Sequence, residues 1–214
     1  MELHSDEEFG MSQALSIDCW ITLGSTYSYL TVMRLPEVQR RSGISIRFRP
    51  FHLGHLFKAM GYFPFPPGSP KTRYMWQDLG RRAALYGIPA QLPAPYPAKQ
   101  PFVANRVAIL GLREGWGDEF IRVSYRRWFL EGQEPGSDPN LSESLREIGQ
   151  DPERVVTLAN GEEIERVLMS ETEAARSLGV FGSPTFVVGD QLFWGDDRLD
   201  DAISWAQGTE RKIV

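Results

Sequence analysis

Residues 179–201 constrain the fold of this chain more than any other stretch. Two short β-rich runs, Thr185–Val188 and Gln191–Trp194, are joined by Gly189-Asp190. A two-residue connection of this type makes a tight hairpin with positive φ in the turn. Pro184 stands just before the first run, where it can end a strand or take the cis form. A cis bond there leaves the backbone groups of Ser183 unpaired and facing outward, able to hold an extended peptide. After the second run, Gly195 supplies a flexible residue and Asp196-Asp197 an N-cap for an amphipathic helix over 198–206. That helix is expected to point its N-terminus at the place Ser183 faces.

The rest of the chain must supply partners for this hairpin. At 214 residues and 42% hydrophobic content it can bury a sizeable core as one domain, or as one domain carrying an insertion. A net charge of −5, with arginines scattered between acids, argues against a polyanion binder, so no nucleic-acid partner is expected. Residues 1–13 are acidic and polar, unlike a signal peptide, and no apolar run approaches the roughly 18 residues of a membrane span. The expected address is the cytoplasm, with no membrane partner. The single cysteine, Cys19, excludes an internal disulfide and a Cys-x-x-Cys redox pair.

Residues 1–15 read as a tail. Over 16–23, Ile17, Cys19, Ile21 and Leu23 alternate with Asp18, Trp20 and Thr22, the period of a strand. A Gly24-Ser25-Thr26 break leads into a helical pattern over 27–41 that contains Pro36 and stops at Gly43. A second alternating run covers 44–51, so the opening is a right-handed parallel βαβ unit. From 52 to 178 the pattern is helical. Proline-rich loops at 62–70 and 87–101 flank a helix over 71–86, helices follow over 101–115 and 118–131, Asp138-Pro139 and Asp151-Pro152 mark helix starts, and a helix over 160–178 ends at Gly179. The order predicts an α/β thioredoxin-like fold with an all-α insertion: 16–51 and 166–214 form the thioredoxin-like domain and 52–165 the helical insertion domain.

Two boxes within this framework resemble a known family. Ser25-Thr26-Tyr27-Ser28-Tyr29-Leu30 resembles the Ser-Pro-Tyr-Ser-Tyr-Leu box of 2-hydroxychromene-2-carboxylate isomerases, relatives of kappa-class glutathione transferases and DsbA oxidoreductases. Val180-Phe181-Gly182-Ser183-Pro184-Thr185 and Phe193-Trp194-Gly195-Asp196-Asp197-Arg198-Leu199 resemble the carboxy-terminal signature of that family. Arg49-Pro50-Phe51, Lys71 with Tyr74 and Asp78, and Tyr86-Gly87-Ile88-Pro89 are similar to its insertion segment. The fold implied is DsbA-like, and the cofactor implied is glutathione.

The resemblance assigns roles residue by residue. Ser25 stands where the disulfide oxidoreductases keep their reactive cysteine, and its hydroxyl would donate to an external thiolate and lower its pKa; a plain N-cap is the alternative. Ser183 and Pro184 would pair with the cysteinyl backbone of glutathione. Trp194, Gly195, Asp196 and Asp197 would form the turn that receives the γ-glutamyl end, and Lys71 would meet the glycyl carboxylate. Tyr62 replaces the asparagine that the family commonly has in the insertion loop, and its phenol can supply one hydrogen bond to glutathione. Thr26 replaces the family's proline. Tyr96 corresponds to a tyrosine near an aromatic substrate, and Phe57, Tyr62, Phe63 and Phe65 can line an apolar wall there. Ser28, His52 and His55 read as structural, and no metal site is expected. The implied activity is glutathione-dependent cis–trans isomerisation of an aromatic acid. A kappa-like transferase and a non-catalytic DsbA-fold binding protein stand as alternatives, and a homodimer is left open.

Overall fold

The computed structural model describes residues 16–61 and 65–209. Strand β1 (Ser16–Ile21), helix α1 (Thr26–Ser42) and strand β2 (Ser45–Pro50) form the opening unit. Seven helices follow: α2 (Leu53–Met60), α3 (Pro70–Tyr86), α4 (Pro101–Glu114), α5 (Gly117–Glu131), α6 (Asn140–Glu147), α7 (Pro152–Ala159) and α8 (Glu162–Ser177). The chain closes with β3 (Thr185–Val188), β4 (Gln191–Trp194), a 3-10 turn at Asp196–Arg198 and α9 (Leu199–Ala206).

The four strands make one sheet in the order β2-β1-β3-β4. β1 and β2 are parallel, with Ser16 opposite Ser45 and Ile21 opposite Pro50. β3 runs antiparallel to β1, pairing Trp20 with Thr185, and β4 runs antiparallel to β3, pairing Thr185 with Trp194. The hairpin turn has Gly189 at φ 61°, the left-handed region that a glycine enters without a Cβ penalty. This arrangement is the thioredoxin-like fold with a helical insertion that the sequence predicts.

Both faces of β1 carry buried side chains. Ile17, Cys19 and Ile21 join an apolar cluster that continues from α1 into Phe120, Tyr125, Trp128 and Phe129 of α5. Trp20, only 1% exposed, belongs to a second cluster with Phe51, Leu56, Ala175, Val180 and Val187. β1 therefore lies inside the molecule, and its turn at the carboxyl end is held from several sides.

Helix boundaries follow local chemistry. Gly43 ends α1 at φ 72° with its N–H on Gln39, and Pro36 sits inside that helix without ending it. Asp151 caps α7 by accepting from the Glu153 amide, and Asp138 accepts from the Ser142 amide at the start of α6. One expected helix differs in extent: in place of a start at Asn160, residue Asn160 closes α7 and α8 begins at Glu162. Among the described residues no helix is long and apolar enough to cross a membrane.

Candidate functional site

The carboxyl end of β1, the first turn of α1 and the segment before β3 meet at one corner. The Ser183–Pro184 peptide bond is cis, as the sequence suggested. Ser25 occupies the N-cap position of α1 with extended backbone (φ −90°, ψ 123°), but its side chain makes no capping hydrogen bond. Instead its Oγ donates to the Ser183 carbonyl across 2.6 Å. The Ser183 hydroxyl accepts from the Thr22 amide and is hydrogen-bonded to the Ser28 hydroxyl, both at 2.9 Å. Ser25 and Ser28 thus converge on the same residue through different atoms, one on its carbonyl and one on its side chain. The Pro184 carbonyl accepts from the Gly195 amide at 3.0 Å, which brings the turn after β4 to this corner.

Asp196 serves the interior. It does not cap a helix, since neither the 3-10 turn nor α9 has a side-chain cap. Its side chain is 1% exposed and pairs with Arg82 at 2.8 Å and Arg34 at 3.6 Å. Thr31 Oγ1 donates to the same carboxylate at 3.3 Å. Burial raises its pKa above the usual carboxylate value, against the pull of Arg82 and Arg34. Arg34 also stacks 4.0 Å over the Tyr86 ring, and Arg82 donates to the Tyr86 hydroxyl. Asp196 therefore ties the turn to α1 and α3. Asp197 stays exposed, its side chain 3.3 Å from Arg198.

Helix α3 forms the wall across from Ser183. Thr26 donates to Met75 Sδ at 3.2 Å and the Tyr27 hydroxyl to Asp78 at 3.1 Å. Lys71, exposed, lies one turn before the buried Met75. The Lys71 ammonium lies 5.7 Å from the centroid of the Phe65 ring, and among the described residues it makes no ion pair. Tyr96 is half-buried and packs edge-on against Trp76 at 5.9 Å. A Cβ on Gly24 would come within 2.8 Å of Pro101 and 4.0 Å of Ala98, so the loop carrying Tyr96 passes directly over the Ser25 turn. That loop is pinned by Trp128, whose indole N–H donates to the Pro95 carbonyl at 2.8 Å. Phe57 is half-buried on α2. Tyr62 and Phe63 lie outside the described residues.

Trp194 forms a ledge beside Ser183. It is 56% exposed and packs on Phe181 at 4.8 Å. A Cβ on Gly182 would overlap its indole nitrogen. Gly182→Ala is expected to swing the exposed indole outward while changing stability by no more than about 1 kcal/mol. A shift in tryptophan emission that disappears in a Trp194→Phe background checks this, and an unchanged spectrum would overturn it.

Two residues not singled out in the sequence hold the Ser25 turn from behind. Asn105 is 1% exposed in α4, accepts from the Leu23 amide at 2.8 Å and donates to Thr22 Oγ1 and the Phe51 carbonyl, both at 2.9 Å. Its position beside Ala104, Val107 and Ala108 is a readable signal, because an amide in an apolar stripe needs buried partners. Tyr125 donates to the Thr22 and Ser25 carbonyls, but it stands in a run with Trp128 and Phe129 that reads as packing alone. The chain's own thiol takes no part: Cys19 is wholly buried, and burial pushes its pKa up. His52 caps α2 by accepting from the His55 amide, a structural role as expected.

Residues 16–204 match the family model described as a DSBA-like thioredoxin domain. A 2-hydroxychromene-2-carboxylate isomerase of Sphingobium xenophagum is 29% identical over 189 residues, covering 86% of this chain and 94% of its own. Glutathione S-transferase kappa 1 of Caenorhabditis elegans is 25% identical over 196 residues, covering 86% and 87%. A solved 2-hydroxychromene-2-carboxylate isomerase superposes with a TM-score of 0.78 at 27% identity, over 90% of this chain and 94% of that one.

Proposed function

The chain belongs to the DSBA-like thioredoxin domain family, and on that premise we propose that it is a glutathione-dependent cis–trans isomerase of the 2-hydroxychromene-2-carboxylate isomerase type. The observation that carries this reading is the hydrogen bond from Ser25 Oγ to the Ser183 carbonyl. The serine hydroxyl is not spent on the helix, and it stands within hydrogen-bond reach of the one backbone group suited to pair with an extended thiol peptide.

The residues present fit such a ligand. The Ser183 carbonyl would exchange the Ser25 hydroxyl for a cysteinyl N–H, and the freed hydroxyl would turn to the sulfur at the start of α1. There it donates to negative charge, which lowers a thiol pKa without Ser25 becoming a nucleophile. Lys71, exposed in the first turn of α3, would meet the glycyl carboxylate. Asp197, exposed beside Gly195, suits the γ-glutamyl ammonium, whereas the Asp196 side chain is committed to Arg82 and Arg34. Phe65, Trp76 and Tyr96 offer an apolar wall for an aromatic acid. When bound, glutathione supplies a thiolate that adds reversibly to a conjugated carbonyl, so that the former double bond can rotate before the sulfur leaves unchanged.

Calorimetric titration with glutathione, followed by product analysis on a hydroxychromene-type or benzylidenepyruvate substrate, tests the proposal. Turnover that requires glutathione and regenerates it supports isomerisation. A released thioether product would assign the chain to transferase chemistry like that named for the kappa relative, and no binding would remove the cofactor altogether. Lys71→Ala is expected to weaken glutathione about two- to fivefold, the range for an exposed charge pair. Equal affinities would take Lys71 out of the site.

A further inference from the structure

Side chains of two distant helices hold the turn that carries Ser25. Asn105 engages the Leu23 amide, the Thr22 hydroxyl and the Phe51 carbonyl. Tyr125, fully buried in α5, donates one hydroxyl to two carbonyls, that of Thr22 at 2.8 Å and that of Ser25 itself at 3.2 Å. The Thr22 carbonyl also accepts from the Ser25 amide at 3.0 Å, so the phenol closes the back of the turn. The backbone on both sides of Ser25 is thereby fixed, and the Ser25 side chain is the part left free to exchange partners.

We propose that Tyr125 is a positioning residue for the thiol chemistry: by holding the Thr22 and Ser25 carbonyls it sets where the Ser25 hydroxyl can point. This rests on the glutathione reading above. A hydroxyl that must donate to sulfur loses its effect when its backbone shifts by a fraction of an ångström, because reacting groups depend steeply on alignment. Burial pushes the Tyr125 phenol up, so it keeps its proton and remains a donor across the working pH range. Its ring stacks on Trp128 at 5.9 Å and packs against Tyr29 at 6.4 Å, contacts that phenylalanine can reproduce.

Tyr125→Phe removes one donor and strands neither acceptor, since the Thr22 carbonyl keeps the Ser25 amide and an N-cap carbonyl accepts the first bond of its helix. The test is a double-mutant cycle with Ser25→Ala, reading the thiol pKa of bound glutathione and kcat/KM. With Ser25 present, Tyr125→Phe is expected to raise the thiol pKa and lower kcat/KM about tenfold, the loss of one hydrogen bond's alignment. In the Ser25→Ala background the same change should cost less than about twofold. Equal losses in both backgrounds, or a loss of thermal stability with no change in thiol pKa, would reduce Tyr125 to packing and overturn the proposal. Glutathione bound to wild type with an undepressed thiol pKa would instead overturn the role of Ser25, and the positioning role with it. Should Tyr125→Phe fail to fold, Asn105→Ser loosens the same turn from α4, and its effect must show the same dependence on Ser25.

Discussion

Ser25→Ala is expected to leave the fold intact, raise the pKa of the thiol of bound glutathione and lower turnover about ten- to a hundredfold. One hydrogen bond to a charged partner is worth about 1.5–3 kcal/mol, and that range converts to these factors when the bond acts in the rate-limiting step. The fold is insensitive because the Ser25 hydroxyl neither caps α1 nor packs in the core; among the described residues it bonds to the Ser183 carbonyl at 2.6 Å. The same geometry predicts a split between binding and activation. S-methylglutathione, which has no thiolate to stabilise, should bind the variant as tightly as wild type or more so, because the carbonyl it would pair with no longer holds a competing donor. Ultraviolet difference titration of the thiolate and calorimetry with the methylated peptide read the two effects. Identical thiol pKa values in the two proteins would leave Ser25 as a loop residue.

Asp196→Ala is expected to destabilise the protein by about 3–5 kcal/mol, the cost of breaking a buried ion pair and leaving its cations without a partner. The carboxylate is 1% exposed and is shared by Arg82 and Arg34. For a chain of this size the loss corresponds to a fall in Tm of roughly 10 °C. Calorimetric melting checks it, and a shift of less than about 2 °C would mean that the turn is held by other contacts. Removing a half-buried cation as well, in Asp196→Ala with Arg82→Leu, should recover part of the loss, since the uncompensated guanidinium contributes to it. Glutathione should bind more weakly to the single variant even where it is folded, because the turn that reaches Pro184 through Gly195 has lost its tether to α1 and α3.

Several features were legible in the amino-acid order because their causes are local. Gly189-Asp190 between two β-rich runs favours a two-residue hairpin turn, and the observed strands, Thr185–Val188 and Gln191–Trp194, are those expected. Ser183-Pro184 before a strand predicted the cis bond that is present. Asp151-Pro152 predicted a capped helix start, and the cap is made. Pairing of the hairpin with β1 or β2 was also expected, since a hairpin distant in sequence from a βαβ unit has little else to complete its sheet, and β3 takes its place beside β1.

Other features were misread or missed because several partners compete for one group, and nearby sequence does not choose between them. Asp196 looks like an N-cap from its neighbours, but Arg82, 114 positions away, claims its carboxylate in the interior. Ser25 has the sequence of a cap and the position of one, yet its hydroxyl goes to a carbonyl 158 positions away. Asn105 reaches the Leu23 amide across 82 positions, and Tyr125 reaches the Thr22 carbonyl across 103. The sequence by itself determined the hairpin turn, the Asp151 cap and the strand and helix segments, since dihedral preference and apolar periodicity act within a few residues. Which hydroxyl, amide or carboxylate faces the corner where Ser25 and Ser183 meet, and which is spent inside the protein, was decided only by the tertiary structure, because a buried polar group takes whichever partner folding brings within about 3 Å.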